Sequence, residues 1–256
     1  MTLDRPHARQ AFAEYTSHYN AADPKVKLKI DHTYRVAALC ERIATAFLPP
    51  QDVDLAWLCG LFARCGPVRA AAPLRHVYRR LFIDHALMSV TVLFEEGRLR
   101  DYIAGTDEDA LLRTAIRLHN AYRLPEEMDD RTRMFCQILR DADKIDILRV
   151  NVETPMEQIY NVSTEALRQS PVSPAVLDAF YEHHCVLRTL NHYPADNAVG
   201  HARLYLSCAA PKASRAVAEQ GWLWKLLDFK TENPDTAKAF CRMKAEMQRW
   251  LEEHAK

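Results

Sequence analysis

Glycine is scarce in this chain, six in 256 residues, and that scarcity constrains the backbone more than any motif does. Tight hairpins draw on glycine for positive φ, so a sheet protein of this length would need more of it. The prolines fall mostly at breaks: Pro49-Pro50, Pro125, Pro171, Pro174, Pro194, Pro211 and Pro234. Between the breaks apolar residues recur every three or four positions, the period of a helix with one buried face. The pattern predicts helices over 7–19, 24–47, 51–64, 79–96, 107–121, 129–151, 154–169, 173–190, 197–209, 213–228 and 234–254. Asp23-Pro24 and Asn233-Pro234-Asp235 read as helix starts, with an Asx N-cap and proline in the first turn. The stretch 62–78 has no clear period and reads as an ordered loop. The expected fold is all-α, a single compact helical domain over 1–256.

Charge and cysteine usage exclude several classes. Lys+Arg and Asp+Glu both number 34, so nothing electrostatic calls for nucleic acid or an acidic membrane surface as partner. No apolar run approaches the ~20 residues of a membrane span. Met1-Thr2-Leu3-Asp4-Arg5 is not followed by the apolar core of a secretory signal. The cysteines at 40, 59, 65, 136, 185, 208 and 241 form no C-x-x-C pair. They read as small buried hydrophobes in a reducing, cytoplasmic setting.

Four polar residues stand on apolar helical faces, where packing alone would prefer Leu or Ile. His32 shares a stripe with Leu28, Val36, Leu39 and Ile43. His85 goes with Leu81, Phe82, Met88 and Val92. His119 lies over Leu111, Leu112, Ala115 and Ile116, and Asp143 with Cys136, Leu139, Ile147 and Val150. An ionised carboxylate buried without a partner is very costly, so it needs a cation or a metal. Imidazoles with a carboxylate suit a divalent transition metal. The helix over 129–151 is apolar nearly all round, which marks it as central. Yet it carries Arg140, Asp141, Asp143, Lys144 and Asp146 in its middle. Those charges need partners or a cavity.

The order of these segments resembles the HD-domain superfamily of metal-dependent phosphohydrolases. Lys29-Ile30-Asp31-His32-Thr33-Tyr34-Arg35-Val36-Ala37 is similar to its first-histidine helix. Ile83-Asp84-His85-Ala86 and Ala115-Ile116-Arg117-Leu118-His119-Asn120 resemble the later histidine helices of two-metal members. Leu139-Arg140-Asp141-Ala142-Asp143-Lys144 resembles the closing aspartate segment. The resemblance implies an HD-like core over 24–151 and a helical extension over 152–256. It implies His32, His85, His119 and Asp143 as metal ligands, with Asp141 the alternative to Asp143. Lys144, Asp141 and Arg64 would serve catalysis, and Arg140, Arg35 and Asn120 would hold phosphate. The cofactor would be a divalent metal (Mn, Fe, Zn, Mg or Ni), or none if the site is no longer competent.

The signature from which the family is named departs here. Where members carry an adjacent His-Asp pair before glycine, this chain has Leu61-Phe62-Ala63-Arg64-Cys65-Gly66. Ala63 offers no lone pair, and Arg64 is a permanent cation. At ~4 Å and an effective dielectric near 20, one positive charge against a divalent ion costs about 8 kcal/mol. Structural zinc binding is itself worth only ~10–16 kcal/mol. Arg64 is therefore expected to replace the metal electrostatically, pairing with Asp143 or Asp141. The chain reads as an HD-family phosphohydrolase acting on nucleotides or small phosphoesters with activity impaired or lost. The alternative is a non-catalytic nucleotide- or phosphate-binding or regulatory protein on the same scaffold. A purely structural helical module gains ground if the histidines are closed to solvent. Cys65 beside Arg64 has an electropositive neighbour that would lower its thiol pKa, but no paired base accompanies it. His76, His183-His184, His192 and His201 lack a matching acid at ligand spacing and read as ordinary polar residues.

Overall fold

Asp4 caps the first helix, Arg5–Ser17, by accepting from the His7 N–H, and Asp23 caps the second, Pro24–Ala44, by accepting from the Lys25 N–H. Proline follows each time, at or near the first helical position, or stands there itself, where its missing donor costs nothing. A computed structural model of the chain describes residues 3–63, 65–66, 68, 84–182, 186–208 and 213–254. Among the described residues it is all-α, with thirteen α-helices and no strand. Contacts divide the chain into two units, Met1–Asp143 and Lys144–Lys256, with the division inside the helix Asp130–Glu153.

In the first unit the helix Pro50–Phe62 is buried on every side from Leu55 to Phe62. It packs against Pro24–Ala44, whose buried face carries Val36, Ala37, Leu39, Cys40 and Ile43. Gly60 permits this close approach. A Cβ there would lie 2.5 Å from the Ala37 Cα and 2.8 Å from its N. Both atoms are backbone, so neither can rotate away. Gly60→Val is expected to lower stability by about 3 kcal/mol, which a urea denaturation curve would measure. The first helix lies alongside. Arg5 bonds Glu41 at 2.6 Å and Asp54 at 2.7 Å, and the Phe12 and Tyr34 rings meet edge to face at 5.4 Å.

Ser89 ties the end of the third helix to the helix His85–Val90. Its hydroxyl accepts from the Gly66 N–H at 3.0 Å and shares its own proton between the carbonyls of Ala63 (3.0 Å) and His85 (3.1 Å). The helix Asp109–Leu118 follows, and Arg131 of Asp130–Glu153 bonds both Glu108 and Asp52 at 2.8 Å.

In the second unit Val176 and Phe180 of Pro174–Tyr181 pack with Ala195, Ala198, Val199 and Ala202 of Pro194–Leu204. Trp222–Leu227 buries Leu223, Leu226 and Leu227, and Pro234–His254 buries Phe240, Met243 and Met247. Tyr205 and Trp250 meet edge to face at 5.3 Å.

Three expected helices are divided among the described residues, two of them with a local cause. The segment 154–169 forms two short helices, Met156–Tyr160 and Thr164–Arg168. Asn161 ends the first in the left-handed region at φ 56°, and Ser163 caps the second. The segment 213–228 is divided by Gly221 at φ 70° into Ala213–Gln220 and Trp222–Leu227. The segment 173–190 keeps Pro174–Tyr181 and a 3-10 turn, Arg188–Leu190. In the opposite sense, Pro194 starts a helix that was expected at 197, because proline suits the first turn. Most of the 62–78 loop and the start of the 79–96 helix lie outside the described residues; Cys65 and Gly66 are helical.

Candidate functional site

The first unit brings His32 and Asp143 together. His32 Nε2 lies 3.1 Å from Asp143 Oδ1, across 111 residues of sequence. Both are buried, at 5% and 7% exposure, and Asp141 beside them is at 1%. Each stands on the buried face of its helix, as the periodicity predicts. With the carboxylate ionised, the imidazole carries its proton on Nε2 and donates it. Arg64, the expected partner of Asp143 or Asp141, lies outside the described residues, and His32 is the described partner of Asp143.

His119 is also buried and sits just past the helix Asp109–Leu118. Its Nδ1–H donates to the Ile116 carbonyl at 2.7 Å. That bond fixes the ring and, in the neutral form, leaves the lone pair on Nε2, the tautomer of many metal-ligating histidines. His85 opens the helix His85–Val90 and is half-buried. Among the described residues, no group of three or more His, Cys, Asp or Glu is placed to hold a metal ion. His32 and Asp143 are two such donors that the described residues bring within hydrogen-bond distance. A spacing of 3.1 Å would suit two cis ligands of one metal with bonds of about 2.1 Å, at an angle of about 95°. A catalytic zinc-type centre takes three protein donors, and residues 64, 67 and 69–83, which run between Ala63 and the His85 segment, lie outside the described residues.

Two residues expected to hold phosphate have structural partners. Arg140 donates from Nη1 to the Leu118 carbonyl at 3.1 Å and to the Ala121 carbonyl, and from Nη2 to the Tyr122 carbonyl at 3.4 Å. It thereby caps the carbonyl end of Asp109–Leu118, a natural place for a cation. Asn120 is exposed and donates from Nδ2 to Asp84 Oδ1 at 3.2 Å. Arg35 and Lys144 are half-buried.

Asp84 was not singled out from the sequence, yet it joins the two later histidine segments. Its carboxylate caps His85–Val90 by accepting from the N–H of Ala86 and Leu87 at 3.1 Å each. It also bonds Arg117 Nη1 at 2.9 Å. An aspartate directly before a helix is a capping signal, and that signal was available in Asp84-His85-Ala86. Burial opposes ionisation of Asp84. The N–H of Leu87, the Asn120 amide, the Arg117 guanidinium and the N–H of Ala86 outweigh it, so the carboxyl is held below its usual range. A depressed carboxyl stabilises the fold above its unfolded value of about 3.9 and loses that contribution as pH falls through the folded value. Asp84→Asn is expected to cost about 1 kcal/mol at neutral pH and to flatten the acid limb of a stability–pH curve below about pH 4.

Burial disfavours the thiolate form of the buried cysteines. Burial pushes Cys65 up to about 12, with only partial relief from the Tyr102 hydroxyl, and pushes Cys136 up to about 11. Desolvation outweighs the lowering expected for Cys65 from its electropositive neighbour in sequence.

No family model, no curated protein and no solved structure matches this chain. No described helix is long and apolar enough to cross a membrane.

Proposed function

We propose that this chain is a relative of the HD-domain phosphohydrolases that binds a small phosphorylated molecule or nucleotide in the cytoplasm, with hydrolysis weakened or lost through Ala63 and Arg64. The observation that carries the reading is the 3.1 Å contact between His32 and Asp143. These are the residues that the resemblance assigns to the first-histidine helix and the closing aspartate segment. Their convergence is what an inherited HD-type site requires. His119 supports the same reading, since its Nδ1 is tied to a carbonyl, as the ring of a metal-ligating histidine commonly is. The non-catalytic form is the better supported of the two, because Ala63 is fully buried and brings no ligand atom.

Thermal-shift measurements against nucleoside phosphates and sugar phosphates test this, together with phosphate release by the parent chain and by Ala63→His/Arg64→Asp. At least one phosphorylated compound should raise the unfolding midpoint of the parent. Phosphate release should be slow or absent in the parent and appear in the double variant with Mn2+. Failure of every compound to bind either protein would contradict the reading. Burial of His32, His119 and Asp143 favours a second reading, a purely structural helical module, which that failure would select.

A further inference from the structure

We propose that Asp84 is a positioning residue: one carboxylate, acting through backbone and neighbouring side chains, sets His85 and His119 relative to each other. The inference rests on the phosphate-binding reading for what the two imidazoles serve, and on the contacts of that carboxylate for how they are placed. The two oxygens of Asp84 divide the work. Oδ1 accepts from the N–H groups of Ala86 and Leu87 at 3.1 Å each, and from Asn120 Nδ2 at 3.2 Å. Oδ2 accepts from Arg117 Nη1 at 2.9 Å. The two backbone bonds fix the opening turn of His85–Val90, on which His85 is the first residue. The two side-chain bonds reach residues on either side of His119 in sequence, at the end of Asp109–Leu118.

Each imidazole follows the backbone that Asp84 holds. The His119 ring is tied by Nδ1–H to the Ile116 carbonyl at 2.7 Å, so it turns with the last turn of Asp109–Leu118. Arg117 and Asn120 carry that end to Asp84. Arg140 holds the same end from Asp130–Glu153, through the carbonyls of Leu118, Ala121 and Tyr122. His85 stands on a helix of six residues, too short to keep its direction without tertiary contacts. Ser89, fully buried, pins the far part of that helix to the Gly66 N–H and the Ala63 carbonyl, both at 3.0 Å. Gly66 permits the approach, because a Cβ there would lie 2.5 Å from the Ser89 N and 2.8 Å from the Met88 C. Asp84 pins the near end. The Arg117 bond is partly exposed and carries little by itself. Asp84 matters because the same group caps one element and grips the other. Groups that orient site histidines in this way are commonly worth ~10–100-fold in affinity.

The test records the proton–carbon NMR signals of the His85 and His119 rings, with the unfolding midpoint, in the full chain and its variants. Asp84→Ala should shift or broaden the signals of both rings. Asp84→Ser keeps a capping oxygen, which favours folding, but has no second oxygen for Arg117; it should still shift His119. Asp84→Asn keeps an oxygen for the cap and for Asn120 and should stay closest to the parent. Arg5→Gln cuts the ion pairs to Glu41 and Asp54 elsewhere in the first unit. It should lower the midpoint and leave both rings in place. Any phosphorylated compound that binds the parent should bind Asp84→Ala at least ~10-fold more weakly. If none binds, the phosphate-binding reading falls, while the ring signals still decide the placement. His119 signals that stay unchanged in Asp84→Ala and Asp84→Ser would overturn the proposal and leave Asp84 an ordinary helix cap. Disturbance of both rings by Arg5→Gln as large as that by Asp84→Ala would overturn it equally.

Discussion

Asp196→Ala is expected to lower the stability of the Lys144–Lys256 unit by about 3 kcal/mol. Asp196 is fully buried at the start of Pro194–Leu204. Its carboxylate accepts from the Ser173 N–H and the Ser173 hydroxyl, both at 2.7 Å, and from the N–H of His192 and Tyr193, both at 2.9 Å. It thus ties the turn before Pro174–Tyr181 to the turn before its own helix. Alanine would leave the buried Ser173 N–H without its acceptor, at about 1–3 kcal/mol, and would free the N–H groups of the exposed His192 and Tyr193, which water can satisfy. Asp196→Asn keeps one oxygen and should fall between parent and alanine. Tryptophan fluorescence during urea unfolding is the natural readout, because Trp222, Trp224 and Trp250 all lie in this unit.

Asp143→Ala is expected to destabilise the first unit by about 3 kcal/mol. The cost arises less from losing the bond than from leaving the His32 N–H buried without the carboxylate it donates to. Removing both partners should therefore cost less than the two single changes added together. A double-mutant cycle of His32→Leu and Asp143→Leu should give a coupling of about 1.5–3 kcal/mol. A coupling near zero would mean that the 3.1 Å contact contributes no more than its neighbours' packing does.

Helices were legible in the sequence wherever a cap and a proline coincided. Asp23-Pro24 opens Pro24–Ala44, and the long apolar stretch around Phe135, Ile138 and Leu139 is the central helix Asp130–Glu153. Breaks produced by a left-handed residue were harder to see. Asn161 and Gly221 interrupt stretches whose apolar period runs on unbroken, because the period reports which face is buried and not where the backbone turns. The same distinction governs the site. His32 and Asp143 stood out as polar residues on apolar faces, and they meet. Asn120 and Arg140 stood out by their place in the resembling segments, but hydrogen bonds to Asp84 and to three carbonyls engage them. Such bonds depend on where the next helix end falls, which no spacing within one segment specifies. Gly60 escaped notice for a related reason: its role is defined by the Ala37 backbone opposite.

Nitrogen-15 NMR of the His32 side chain is the most direct measurement of the central claim. In protein prepared with chelator, Nε2 should carry a proton that correlates with it. That signal should be lost in Asp143→Ala. A bare Nε2 in the parent, or a proton signal that Asp143→Ala leaves in place, would contradict the account.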